Sequence, residues 1–307
     1  MQQRYRWAVG AVAAAAVTIA TGIPPASAAT TPLAIKSTFN ASNEGWRVIG
    51  DTTAEAATFR STGGNPGGYA EAADAATGGV MYWLAPAKFL GDRSGFYEGK
   101  LLFDLRQSAT DTQFDDNDVE LEGGGLTLTF NHSPNPGTNW THYAISLRET
   151  AGWRNGSVAA TEADMRNALK NLTALRIRAE FRTGADTDGL DNVTLASGPQ
   201  FTVNNVSVAE GNSGTKPLTF VVKLTSPSAK PQTVNFATAN GTALAGQDYQ
   251  AKTGTLSFPA GTTSKTVMIN VVGDTVTENP ETFKLQLSGG SVPINKPTGV
   301  GTITNDD

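Results

Sequence analysis

Apolar and polar residues alternate with a period of two along much of this chain. Leu175, Ile177, Ala179 and Phe181 alternate with Arg176, Arg178, Glu180 and Arg182. That is the pattern of a strand with its apolar set on a core and its charged set in water. Phe283, Leu285 and Leu287 alternate in the same way with Thr282, Lys284 and Gln286. Further strands are predicted at residues 81–86, 100–105, 119–121, 126–130 and 141–147. One stretch changes period: Met165, Leu169 and Leu172 fall at helical spacing. Thr161 precedes them with Asp164 three positions on, a capping-box-like start, and the apolar stripe is read as core. Residues 63–69, Gly-Gly-Asn-Pro-Gly-Gly-Tyr, read as a loop too irregular for a strand. No helix follows it, so a phosphate cradle is not expected.

The 307 residues leave room for two ordinary domains, and 39 % hydrophobic with 17 % charged residues describes a folded chain. There are no cysteines, so stability must come from core burial or metal, and thiol chemistry is excluded. Residues 1–28 have the form of an export signal. Arg4 and Arg6 precede an apolar run over residues 8–19, and Ala26-Ser27-Ala28 offers a small-residue cleavage site. The run is shorter than the roughly 20 residues that span a bilayer. Loss of Arg4 and Arg6 with that leader takes the formal charge from −5 to −7, against nucleic-acid or anionic-membrane partners. No lipobox cysteine, second hydrophobic span or sorting tail is seen. The expectation is a secreted, extracellular protein with no membrane span in the mature chain.

The most informative stretch is 271–283, Val-Val-Gly-Asp-Thr-Val-Thr-Glu-Asn-Pro-Glu-Thr-Phe. A strand runs into a loop holding Asp274, Glu278 and Glu281, then into another strand. Acids crowded at one end of a sheet repel unless a cation lies among them, and Ca²⁺ collects six to eight oxygens from such loops. Taken alone, three loop acids also suit a solvated turn. Other matching segments surround them: Val208-Ala209-Glu210-Gly211, Ala237-Thr238-Ala239-Asn240-Gly241-Thr242, Gly246-Gln247-Asp248-Tyr249, and Gly301-Thr302-Ile303-Thr304-Asn305-Asp306-Asp307. With these, residues 198–307 resemble the Calx-beta domain. The resemblance implies a Greek-key immunoglobulin-like sandwich binding Ca²⁺ at one tip, with Glu210, Asp248, Asp274, Glu278, Glu281, Asp306 and Asp307 as candidate ligands. Gly273 and Asn305 stand where calcium-sensing members carry acids, which implies fewer or weaker ions.

Residues 37–197 carry a second resemblance. Glu44-Gly45-Trp46, the run from Trp83 through Phe89 to Asp92, Tyr97-Glu98-Gly99-Lys100-Leu101, residues 118–123, and Leu190-Asp191-Asn192-Val193 resemble the laminin IV type A, or laminin B, domain. That implies a galactose-binding-like jelly roll used in adhesion, with residues 29–36 as a lead-in. The fold class expected for the whole is all-β, two β-sandwich domains with one short helix.

Other constellations have plainer readings. Asp115, Asp116, Asp118, Glu120 and Glu122 lack the glycine and distal glutamate of a calcium loop, and are read as a solvated strand edge. Asp186-Thr187-Asp188-Gly189-Leu190-Asp191 reads either as a glycine turn with Asp191 bonding backbone amides, or as a calcium site joining Glu44 or Asp51 to Asp191. Trp46, Trp83 and Trp153 are expected in the core, and Trp140 exposed. His132 and His142, ten residues apart, do not have zinc spacing and are read as surface or packing histidines. No nucleophile elbow or His-Glu-x-x-His helix appears. The expectation is no enzyme but a secreted recognition protein. Its tip would bind Ca²⁺, and its jelly roll a glycan, matrix component or cell-surface protein. The alternatives are a polysaccharide-acting hydrolase and an inert spacer.

Overall fold

A computed structural model describes residues 33–75 and 78–307. The export signal read at residues 1–28 lies outside the described residues, and among these no helix is long and apolar enough to cross a membrane. The described residues are all-β apart from one helix, Glu162–Lys170, and short 3₁₀ turns. It forms two β-sandwiches, each with its own core.

In the first sandwich, one sheet runs Thr58–Gly64, Gly67–Ala73, Thr187–Ala196, Lys100–Arg106, Thr141–Ser146, with Ala34–Ser37 also paired to Thr187–Ala196. The facing sheet is built around Leu126–Phe130, Val119–Gly123, Leu172–Arg178 and Tyr82–Leu84. Trp46, Trp83, Trp153, Phe89, Phe96 and Phe103 fill the space between. The helix caps one end with Met165, Ala168 and Leu169 buried, and Thr161 and Asp164 form a reciprocal capping box.

Several expectations require correction here. Leu172 is buried, but as the first residue of a strand and not the last of the helix stripe. Residues 63–69 are not a loop: they form the tip of the Thr58–Gly64 and Gly67–Ala73 hairpin. The glycines serve close backbone packing, since a Cβ at Gly68 would meet the Phe39 carbonyl at 2.4 Å. The segment around Asp188 is likewise a strand, Thr187–Ala196, and not a turn. Asp118 is fully buried, and the strand it precedes lies inside its sheet.

Arg178 and Glu180 do not face water. Both are buried: Arg178 is the last residue of the strand Leu172–Arg178, and Glu180 lies just past it. Arg178 donates to the Glu180 carbonyl at 2.6 Å, the Phe114 carbonyl at 2.7 Å and Asp118 Oδ1 at 3.3 Å, between the rings of Phe114 and Phe181. Trp140 is half-buried: its ring stands 5.4 Å from Tyr69 with Arg106 over both, and its indole donates to the Gly63 carbonyl. His132 packs in the interior against Tyr143, while His142 stays exposed and meets Asp104 at 2.6 Å.

The second sandwich joins Ser264–Val272, Thr215–Leu224, Phe201–Val203 and Ile294–Lys296 in one sheet. The other is Val206–Ala209, Thr298–Thr304, Glu281–Ser288, Gln232–Asn240 and Thr253–Phe258. Its first and last strands run parallel, Val206 opposite Gly301 through Ala209 opposite Thr304. The sandwiches meet through Gly198, whose amide donates to the Gly95 carbonyl, and through Ser228 and Lys230.

Candidate metal centre

Sheet register places the candidate acids of the second sandwich at one tip. Glu210 follows Val206–Ala209, and Asp306 and Asp307 follow the parallel partner Thr298–Thr304. Glu281 opens the antiparallel neighbour, opposite Ile303. Asp248 lies in the loop after Gln232–Asn240, and Asp274 and Glu278 in the loop after Ser264–Val272. Val272 donates its amide to the Asp248 carbonyl, tying those loops together. Beneath them Tyr249 and Phe283 stack at 4.2 Å, an apolar floor.

Asp248, Glu278 and Glu281 form the tight part, with one carboxylate oxygen from each lying within 4.8 Å of the others. Glu281 Oε2 is buried without a hydrogen-bond donor. Burial, then the neighbouring carboxylates Asp248, Glu278 and Glu210, push Glu281 up to about 7. Glu210 is also raised, by burial and then by Asp274, Glu278 and Asp307. The remaining candidates stand outside the tight trio. Asp274 accepts from the Val276 amide at 2.7 Å, Asp306 from the Gly211 amide at 2.7 Å, and Asp307 from the Asn212 side chain. An all-oxygen set with an unpartnered buried oxygen fits a hard divalent cation.

The two departures have structural roles. Asn305 donates to Glu210 Oε1 at 3.3 Å and to the Val276 carbonyl at 2.9 Å, which a carboxylate could not do. Gly273 allows its backbone to touch that of Gly211: a Cβ there would stand 1.9 Å from the Gly211 carbonyl oxygen.

Family models match in two places: Laminin B (Domain IV) over residues 82–209 and the Calx-beta domain over residues 197–304. The chain carries a laminin B domain followed by a Calx-beta domain. Residues 37–81 lie outside the laminin B match, yet Phe39, Trp46 and Val48 share its core. Human laminin subunit gamma-2 is 39 % identical over 124 residues, 38 % of this chain and 10 % of that protein. Bovine sodium/calcium exchanger 1 is 38 % identical over 61 residues, 20 % of this chain and 6 % of that protein. The solved apo-form Calx CBD1 domain aligns at 27 % identity and a TM-score of 0.31, covering 36 % of this chain and 98 % of that one.

In the laminin B domain the three acids weighed as a calcium site, Glu44, Asp51 and Asp191, have different surroundings. Glu44 is engaged by Lys88 and by the amides of Thr38 and Phe39. Asp191 accepts from the amides of Asn65 and Asn192 at 2.6 and 2.7 Å, as the backbone-bonding reading expected. Asp51 lies elsewhere, with Asp74 and Glu180. That grouping was missed because its members are far apart in sequence and Glu180 reads as solvent-facing. No local spacing marks it.

Proposed function

We propose that this is a secreted, calcium-dependent recognition protein without catalytic activity. Its Calx-beta tip would hold Ca²⁺ through Asp248, Glu278 and Glu281, with Glu210, Asp274, Asp306 and Asp307 completing or balancing the site. The observation that carries this reading is the convergence of three carboxylates around a buried Glu281 oxygen that lacks a donor. The ion would offset their mutual repulsion and tie the Asp248 loop to the loop that carries Glu278 into the Glu281 strand, stiffening the end of the module. The laminin B domain would then supply recognition of a glycan, matrix component or cell-surface protein. Its likeness to extracellular laminin subunits supports that assignment.

Calorimetric titration of the full chain tests the tip. Ca²⁺ should bind with Mg²⁺ far weaker, and Asp248→Asn or Glu281→Gln should lower Ca²⁺ affinity at least tenfold. Ca²⁺ binding unchanged in both variants would overturn the assignment. Retention of the chain on immobilised laminin-type matrix or a glycan array, with and without Ca²⁺, tests the recognition arm.

A further inference from the structure

The laminin B domain contains an acidic chamber that the tip reading does not use. Asp51, Asp74 and Glu180 are each buried, and one carboxylate oxygen from each lies within 4.8 Å of the others. They line a cavity of about 540 Å³ with Phe114, Thr183 and Gly184, so the group is reachable from solvent.

A second observation is independent of that trio. Asp188 is 2 % exposed, and neither of its carboxylate oxygens has a hydrogen-bond partner. Strand register gives its direction. Asp188 pairs with Ala72 and Thr187 with Ala73, and the Asp74 amide donates to the Asp186 carbonyl. Asp74, Asp186 and Asp188 therefore share one sheet face with the core residue Leu190, while Thr187 takes the exposed face. That face looks across the sandwich toward Glu180, whose Oε2 accepts the Met81 amide. Asp186 turns Oδ1 to Ser108 and to the amide of Thr187, leaving Oδ2 buried without a partner. The nearby guanidinium groups are committed elsewhere: Arg178 to Asp118 and two carbonyls, Arg182 to Asp111 and the Ala185 carbonyl.

We infer that this chamber is a second divalent-cation site, of the Ca²⁺ class, formed by Asp51, Asp74 and Glu180 with Asp188 behind them. Among the described residues the side chains that converge there are carboxylates, the all-oxygen donor set that a hard divalent cation takes, and the buried oxygens of Asp188 have no donor. The ion would link the two sheets at one end of the sandwich, Asp74 and Asp188 from one side and Glu180 from the other.

The test uses the full chain with the tip silenced by Asp248→Asn, Glu278→Gln and Glu281→Gln, so that the two sites fail separately. Titration with Ca²⁺ up to about 1 mM, the weak end for extracellular modules, should show one remaining ion and raise the laminin B melting temperature. Asp74→Asn or Glu180→Gln should reduce that affinity at least tenfold. Asp188→Asn should raise the melting temperature in chelator while weakening the Ca²⁺ response. A tip-silenced chain that neither binds Ca²⁺ nor changes its melting temperature overturns the proposal, whatever the variants do.

Discussion

Gly273 lies against the backbone of Gly211 so closely that a Cβ would stand 1.9 Å from the Gly211 carbonyl oxygen and 2.9 Å from that of Glu210. Backbone atoms on both sides leave little room to adjust. An acid at this position would therefore displace the segment carrying Glu210 instead of adding a ligand. Gly273→Asp is expected to destabilise the Calx-beta domain by about 1–3 kcal/mol, the usual range for overpacking, and to weaken Ca²⁺ binding. Thermal melts in chelator and Ca²⁺ titration of the variant check both effects. Tighter Ca²⁺ binding at unchanged stability would show the packing argument to be wrong.

Arg178 and Asp118 form an ion pair with both side chains fully buried. Removing one partner leaves the other charge without compensation, an effect of about 3–5 kcal/mol in such settings. Arg178 also holds the carbonyls of Phe114 and Glu180. Arg178→Met is thus expected near the upper end of that range. Urea unfolding followed by tryptophan fluorescence measures it, and a loss below about 1 kcal/mol would contradict the burial of the pair.

His132 introduces a pH dependence of definite sign. Its ring stacks on Tyr143 with centroids 3.8 Å apart, and neither ring nitrogen has a hydrogen-bond partner. Burial pushes its pKa from 6.5 down to about 4, so the ring is neutral near pH 7 and forms no ion pair with Asp118. A depressed folded pKa contributes stability above 6.5 that is lost as pH falls through about 4. Asp118 opposes this: burial raises it from 3.8 to about 6, so its contribution is present below 3.8 and lost as pH rises through about 6. Comparison with His132→Gln isolates the histidine. Relative to the variant, the natural chain should lose about 3 kcal/mol between neutral pH and pH 4. A pH-independent difference in unfolding free energy would rule this out.

Lys230 bridges the domains, donating to Glu149 at 3.0 Å and Glu162 at 2.6 Å, with its own side chain half exposed. Exposed ion pairs contribute little, so Lys230→Ala should change stability by less than about 1 kcal/mol. Ser228 is buried and donates to Glu98 at 2.8 Å. Combining Lys230→Ala with Ser228→Val removes both side-chain ties. Small-angle scattering should then show a broader distribution of overall dimensions, with Lys230→Ala alone near the natural chain.

Period-two alternation was enough to identify the strands around Leu175 and Phe283, because it reports which residues share a face of a pleated strand. The Thr161–Asp164 pair marked the helix start for an equally local reason: a side chain bonding an amide three residues away. The loop acids of the Calx-beta tip were legible because their motifs lie at strand ends. Which of them converge was not: the structure brings carboxylate oxygens of Asp248, Glu278 and Glu281 within 4.8 Å of one another.

Alternation cannot say whether both faces of a strand are covered. Arg178 and Glu180 read as solvent-facing, and only packing of the segment around Phe114 and Asp118 over that second face buries them. The chamber of Asp51, Asp74, Glu180 and Asp188 is likewise a product of pairing between distant strands. Local sequence determined the elements and their inward faces, through backbone geometry and side-chain polarity. Tertiary structure alone decided which charges share a low-dielectric space, because that depends on contacts between segments whose separation in sequence carries no signal.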